Sequence, residues 1–110
     1  MTLLLLLGLL ACQAGPDPCV PFCEAAADAE AACLSASDLD WSALGYADRE
    51  DWLDSCQTWA WEQRALARDA DARAEDVDAA CQAQESAMEE GGCAMIQSFD
   101  WNDPIWEGSP

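Results

Sequence analysis

The chain has 110 residues, enough for one small domain, and its 22 acidic residues against 4 arginines give a formal net charge of -18. A polyanion of this kind repels phosphate backbones, which argues against nucleic-acid binding. The sequence contains no histidine. The imidazole general base and the Ser-His and Cys-His pairs of common hydrolytic enzymes are therefore excluded.

The chain begins with an apolar run that carries no charged side chain and ends before Cys12. A run of this length is shorter than the roughly 20 residues that a membrane-spanning helix needs. It is typical of the hydrophobic part of an export signal. We therefore predict a signal peptide over residues 1–11, a short tether over residues 12–17 and a helical, disulfide-rich domain over residues 18–110.

The end of the apolar run, Leu9-Leu10-Ala11-Cys12, resembles the lipobox of bacterial lipoproteins. The resemblance implies that Cys12 becomes the first residue after cleavage and carries lipid on its sulfur and its amine, which would anchor the domain in a membrane of the cell envelope. Gln13 stands where some lipoproteins of enteric bacteria have the aspartate that retains them at the inner membrane, so the resemblance favours the outer membrane. Ordinary secretion after cleavage at Ala14 and an uncleaved anchor are the alternatives.

Helix is the only secondary structure that the rest of the sequence predicts. The first helix should begin near Asp17, whose carboxylate can cap free backbone amides while Pro18 occupies the first turn, and should end near Leu34. A short helical turn follows, capped by Ser37 with Asp40 and ended by a glycine. No segment has the pattern of a strand of any length.

Residues 46–90 contain neither glycine nor proline and are rich in good helix formers. The second helix is predicted to begin near Asp48. Its inward stripe, at helical spacing, consists of Trp52, Leu53, Cys56, Trp59, Ala60, Leu66 and Ala67. A single helix over residues 48–90 would be roughly 64 Å long, too long for a compact domain of this size. The chain should therefore turn in its least apolar stretch, residues 69–76.

The last helix is predicted to end at Gly91-Gly92, after which an apolar tail begins at Cys93. The tail is too apolar to remain in water and should lie across the helices as an irregular strap. The predicted fold is therefore a small all-α bundle of about three helices, held by disulfides and completed by a C-terminal strap.

Seven cysteines support export independently of the lipobox. Without Cys12 an even set of six remains, which in a small exported chain predicts three disulfides. A zinc site is the alternative, because Cys19 and Cys23 lie one helical turn apart. It is disfavoured, since there is one short cysteine spacing and no histidine to complete a site. We predict no metal and no cofactor.

In an up-down-up bundle, cysteines at the same position along the bundle axis can pair, so these positions indicate the disulfides. With a rise of 1.5 Å per residue, Cys33 and Cys56 lie at about 22 and 20 Å from the end where the first helix begins. Cys23 and Cys81 lie at about 8 and 12 Å, which leaves Cys19 for Cys93. This last pair requires the tail to run back along the bundle after Gly91-Gly92; otherwise Cys93 would lie near Cys33 at the far end. The predicted pairs are therefore Cys33 with Cys56, Cys23 with Cys81, and Cys19 with Cys93.

Two groups of side chains are candidates for binding a partner. Trp61 points away from the inward stripe, on the same side as Arg64 and Arg68, where it can stack on an arginine stem or dock a partner. In the tail, acids alternate with tryptophans, and the candidate contact residues there are Trp101, Asp103 and Trp106.

No combination of nucleophile and base can be named, so the sequence does not predict an enzyme. The function expected is that of a non-catalytic, lipid-anchored interaction module whose acidic surface meets a cationic protein, peptide or polyamine outside the cytoplasm. The alternative is low-affinity binding of divalent cations, or a structural role in the envelope.

Overall fold

The computed structural model describes residues 16–107, and in them the fold is all-α, as predicted. Three helices, α1 (Cys19–Ala36), α2 (Arg49–Asp69) and α3 (Ala74–Ser98), are joined and followed by two short 3-10 turns, η1 (Trp41–Leu44) and η2 (Ile105–Glu107). No helix in this part of the chain is long and apolar enough to cross a membrane. The predicted signal peptide and Cys12 lie outside the described residues.

The helices begin where local capping chemistry allows. The carboxylate of Asp17 accepts a hydrogen bond from the Cys19 amide at 2.9 Å, and that of Asp48 accepts one from the Asp51 amide at 2.9 Å. These carboxylates satisfy backbone donors that a helix leaves free at its start, and their negative charge is favoured by the helix dipole. Both predicted helix starts are confirmed.

The short turn η1 is capped by Asp40 alone. Its carboxylate accepts a hydrogen bond from the Ser42 amide at 3.1 Å. Ser37, predicted to share this role, instead ends α1, because that helix continues two residues beyond the predicted Leu34. Gly45 ends η1 with a φ of 88°, a backbone conformation that favours glycine.

Helix α3 does not end at its paired glycines, so the predicted irregular strap over the whole tail from Cys93 is wrong for its first part. Gly92 takes φ 55° and ψ -134°, which bends the helix, and helical geometry then resumes as far as Ser98. The bend lets buried Ile96 reach the core. The C-terminal strap, which we define as residues 99–107, therefore begins at Phe99.

The core lies between α1 and the other two helices. Alanine gives α1 a smooth face, since Ala26 and Ala27 are fully buried, and larger side chains such as Phe22, Val77 and Met88 fill the remaining space. Small residues at a helix contact allow the two helix backbones to approach closely. Alanine buries little apolar area, but this close packing adds favourable dispersion contacts.

Leu66, predicted to face inward, is 51% exposed. At 100° per residue it lies at the edge of the buried stripe, about 100° from Ala67. Gln63, one turn earlier, is buried in the stripe, and its side-chain oxygen accepts a hydrogen bond from the Ile105 amide at 2.9 Å. This polar contact joins α2 to the strap and leaves Leu66 outside.

All six predicted cysteines form disulfides, but each of the three predicted pairs is wrong. The bridges join Cys19 to Cys81, Cys23 to Cys56 and Cys33 to Cys93, with Cα atoms 5.0, 5.8 and 4.9 Å apart. Two of them connect α1 to α3 near the two ends of α1, which shows that these helices run parallel and in register.

The axial position of α2 explains the wrong pairs. Cys56 is level with Cys23 instead of Cys33, ten residues nearer to the start of α1, so α2 is displaced by about 15 Å from the predicted register. The connection over residues 37–48 is long enough to return along α1 before α2 begins. Cys93 is then left at the far end of the bundle, where it meets Cys33.

Candidate functional site

Most aromatic side chains of the domain form one cluster, in which ring centroids lie 4.6 to 6.2 Å apart. The cluster joins α1, η1, α2 and the strap. Its members are Phe22, Trp41, Trp52, Trp59, Phe99 and Trp101. Aromatic pairs at these distances stabilise a fold beyond the area that they bury.

The strap is fixed to α2 through this cluster. Trp52 and Trp59 are two helical turns apart on one face of α2, and the ring of Trp101 lies 4.9 Å from that of Trp59. The indole N–H of Trp59 donates a hydrogen bond to the backbone oxygen of Trp101 at 2.9 Å. Trp101 is therefore held in a defined position, although it comes from an irregular segment.

An open cleft of about 200 Å³ lies beside this contact; we call it the tryptophan cleft. It is lined by Tyr46, Trp52, Ser55, Cys56, Trp59 and Trp101. The ring plane of Trp101 makes an angle of 81° with the planes of both Trp52 and Trp59. The walls of the cleft thus meet nearly at right angles.

The surroundings of the tryptophan cleft are negative. Asp51 lies one helical turn before Ser55 on the same face of α2, and its carboxylate is held by the Ala47 amide at 2.9 Å, next to Tyr46 in the chain. On the strap, exposed Asp100 precedes Trp101. No arginine is among the residues that line the cleft within residues 16–107.

Arg64, a predicted binding residue, is part of the fold. Its guanidinium binds the carboxylates of Asp17 and Asp78, the latter at 2.8 Å, and so joins α2 to the starts of α1 and α3. Burial lowers the pKa of Arg64, but the hydrogen bonds and charges of the two carboxylates outweigh it and raise the pKa above its usual value. This geometry favours a structural role.

The same carboxylates are not free to hold a metal ion. Potential ligand atoms of Asp17, Cys19 and Asp78 lie within 4.8 Å of one another. The sulfur of Cys19 is in a disulfide, however, and the two carboxylates already bind Arg64. A divalent cation would have to displace the guanidinium, so this cluster is better described as an ion-pair network.

Trp61 lies on the outer face of α2 and is 73% exposed, as its position opposite the inward stripe predicts. A shallow depression beside it is lined by Asp54, Gln57 and Thr58. Arg68 is also exposed, but Arg64 turns into the fold, so the three residues predicted together do not form one patch. We call the surface formed by Asp54, Gln57, Thr58 and Trp61 the α2 outer face.

The other predicted contact residues are likewise separated by the structure. Trp101 belongs to the aromatic cluster, and Asp103 is exposed on the strap. Trp106 lies half-buried against α3, where it lines a second cleft with Ala80 and Gln84. The side-chain oxygen of Gln84 is buried there without a hydrogen-bond partner.

Sequence reasoning missed Tyr46 and Ser55 as parts of the tryptophan cleft. Its placement of Trp52 and Trp59 in core packing is confirmed, because Trp52 is buried and Trp59 packs against the core. Ser55 could have been placed beside Trp52 and Trp59 by helical spacing. Tyr46 has no such signal, because it lies in the connection before α2, whose path depends on tertiary contacts.

Comparison of the chain with known proteins finds no matching family, no similar curated protein and no similar solved structure.

Proposed function

We propose that this protein is a non-catalytic interaction module, anchored to the bacterial cell envelope through lipid on Cys12, and that its acidic surface binds a cationic protein or peptide. The observation that carries the proposal is the distribution of charge. Arg49, Arg64 and Arg73 all form ion pairs with carboxylates of the chain itself. Within residues 16–107 these pairs use Asp17, Asp28, Glu75, Asp76 and Asp78, so most of the 22 acidic residues form no ion pair there.

The disulfide cross-links hold the acidic residues in fixed positions, which favours binding of a cationic partner. Three disulfides hold the helices in place, and they indicate an oxidising, exported location. A fixed array of like charges attracts a cationic partner over distances longer than a contact and speeds the encounter. The lipid anchor would confine the encounter to the envelope surface; this part of the proposal depends on the lipobox resemblance.

The α2 outer face is where we expect such a partner to make apolar contact. Trp61 is a large, exposed ring beside the carboxylate of Asp54, and tryptophan is a frequent anchor in protein interfaces. A lysine or arginine side chain can place its charge on the carboxylate and its stem on the indole.

The test is salt-dependent binding of a lysine-rich peptide to the mature chain in detergent micelles. The control is a peptide of the same length in which glutamine replaces every lysine. We expect the lysine peptide alone to bind, and its affinity to fall steeply as salt rises from about 0.01 to 1 M, because the screening length shrinks from about 30 to 3 Å. A Trp61→Ala variant should bind more weakly, whereas Leu39→Ala, which removes another exposed apolar side chain, should not change the affinity.

Absence of binding at low salt would overturn the proposal. A rise in melting temperature with millimolar calcium, without binding of the lysine peptide, would support the alternative function of low-affinity binding of divalent cations.

A further inference from the structure

We propose that the tryptophan cleft is a binding site for an alkylated ammonium cation. The proposal deepens the proposed function and rests on it for the cationic nature of the partner, because it names the chemical group that the protein would recognise and the residues that would hold it. The ligand group is a positive nitrogen that carries methyl or methylene substituents, as in choline or in a methylated lysine side chain.

The shape of the cleft is the first argument. The rings of Trp52 and Trp59 stand at 81° to the ring of Trp101, with centroids 5.9 and 4.9 Å away from it. Aromatic faces carry partial negative charge and attract a cation that lies within about 6 Å. Walls at right angles let one compact cation approach more than one indole, which is how aromatic cages hold quaternary ammonium groups.

The volume of the cleft is the second argument. At about 200 Å³ it is smaller than the roughly 300 to 1,000 Å³ of pockets that take drug-sized molecules. It therefore suits a single head group and not a ring system or a long chain. Because the cleft is open, the remainder of the ligand can extend into solvent.

The charge around the cleft is the third argument. Asp51 and Asp100 flank the lining residues in the chain, and the whole protein is strongly negative. An anionic ligand would be repelled, and a neutral one would gain nothing from this field. The Ser55 hydroxyl supplies a polar atom at the edge, where a hydroxylated or hydrated ligand group can bind.

The cleft is also preorganised. The strap wall is held by the hydrogen bond from the Trp59 indole to the Trp101 backbone, and Cys56 in the lining is cross-linked to Cys23 of α1. Binding therefore does not have to order the walls, which lowers its entropic cost.

The experiment is a titration of the oxidised protein with choline, followed through the indole N–H resonances in NMR spectra. The comparison ligand is 3,3-dimethylbutan-1-ol, which has the shape of choline but no charge. We expect choline to shift the resonance of Trp59 and to bind about 2- to 30-fold more tightly than the neutral isostere, the range that cation–π contacts supply. Equal affinities, or no binding of choline, would overturn the proposal.

Variants locate the site. Trp101→Leu should weaken choline binding about 2- to 30-fold, whereas Leu39→Ala, which removes an exposed apolar side chain outside the cleft, should leave it unchanged. Because Trp101 also packs against its neighbours, a second measurement replaces all tryptophans with 5-fluorotryptophan, which weakens the negative ring face with little change of shape. A fall in choline affinity without a fall in helical content is expected, and unchanged affinity would refute a cation–π site.

Two further arms identify the source of the cation and separate this proposal from the proposed function. A peptide with one trimethyllysine that binds more tightly than choline indicates a peptide ligand, and equal affinity indicates a small molecule; both results support the site. Lysine-peptide binding without choline binding would overturn the cleft proposal and leave the proposed function standing. Choline binding without lysine-peptide binding would overturn the proposed function and leave the cleft proposal standing.

Discussion

Removal of the bridge between Cys33 and Cys93 measures how the parallel register of α1 and α3 contributes to stability. We consider the double variant Cys33→Ala with Cys93→Ala, which deletes the disulfide without leaving a free thiol. Both residues are half-buried near the far end of the bundle, so alanine at these positions leaves little empty volume. The dominant effect should be the additional freedom of the unfolded chain.

The expected loss in the free energy of unfolding depends on the other two disulfides. The sequence separation is 60 residues, but Cys19 and Cys81 remain joined, so the shortest path runs 14 residues back to Cys19 and 12 residues forward from Cys81. The loop that the deleted bridge closed therefore has about 26 residues. The chain-entropy relation gives a loss of about 3.5 kcal/mol for this loop, against about 4.3 kcal/mol for an isolated loop of 60 residues.

The assay is equilibrium unfolding of the oxidised variant and the oxidised wild type in guanidinium chloride, with helical circular dichroism as the signal. A loss of about 3.5 kcal/mol is large beside the 5 to 15 kcal/mol of a typical domain, so the shift of the midpoint is easily measured. A loss below about 1 kcal/mol would refute the reasoning, because it would mean that the ends of α1 and α3 stay together in the unfolded chain or that packing alone holds them.

Three further outcomes follow from single sites. Cys12→Ser should move the protein from the detergent phase to the aqueous phase in a partition assay if Cys12 carries lipid, and unchanged partition would contradict the anchor. Gly92→Ala should lower the free energy of unfolding by about 1 to 3 kcal/mol, because φ 55° with ψ -134° is strained for any residue with a Cβ, and thermal unfolding at pH 7 checks this. A hydrogen bond shared with Glu89, together with slight desolvation and the like charges of Glu89 and Glu24, raises the pKa of Glu85. The ionised form therefore destabilises the fold at neutral pH. Glu85→Gln should stabilise the protein at pH 7, and the gain should vanish as the pH falls below the ordinary glutamate value of 4.5; a gain that does not depend on pH would contradict this assignment.

Local chemistry in the sequence determined the helices and the need for cross-links. Asp17 and Asp48 can cap a helix wherever the chain goes, because their carboxylates bind amides two or three residues away. The six cysteines that remain without Cys12 form an even set, which in a small exported chain predicts disulfides. The outward position of Trp61 follows from its angle around the helix axis, which helical periodicity sets.

Only the tertiary structure decided which cysteines meet and where the tryptophan cleft lies. Periodicity gives the angular position of Cys56 on its helix but carries no information on how far that helix slides along its neighbour. The slide of about 15 Å depends on the path of the connection that contains Tyr46 and on the packing of Trp52 and Trp59 under the strap. These contacts join residues more than 40 positions apart, as in the hydrogen bond from Trp59 to Trp101. Such long-range contacts form only in the packed chain, because each contact is stabilised by side chains that the other long-range contacts hold nearby.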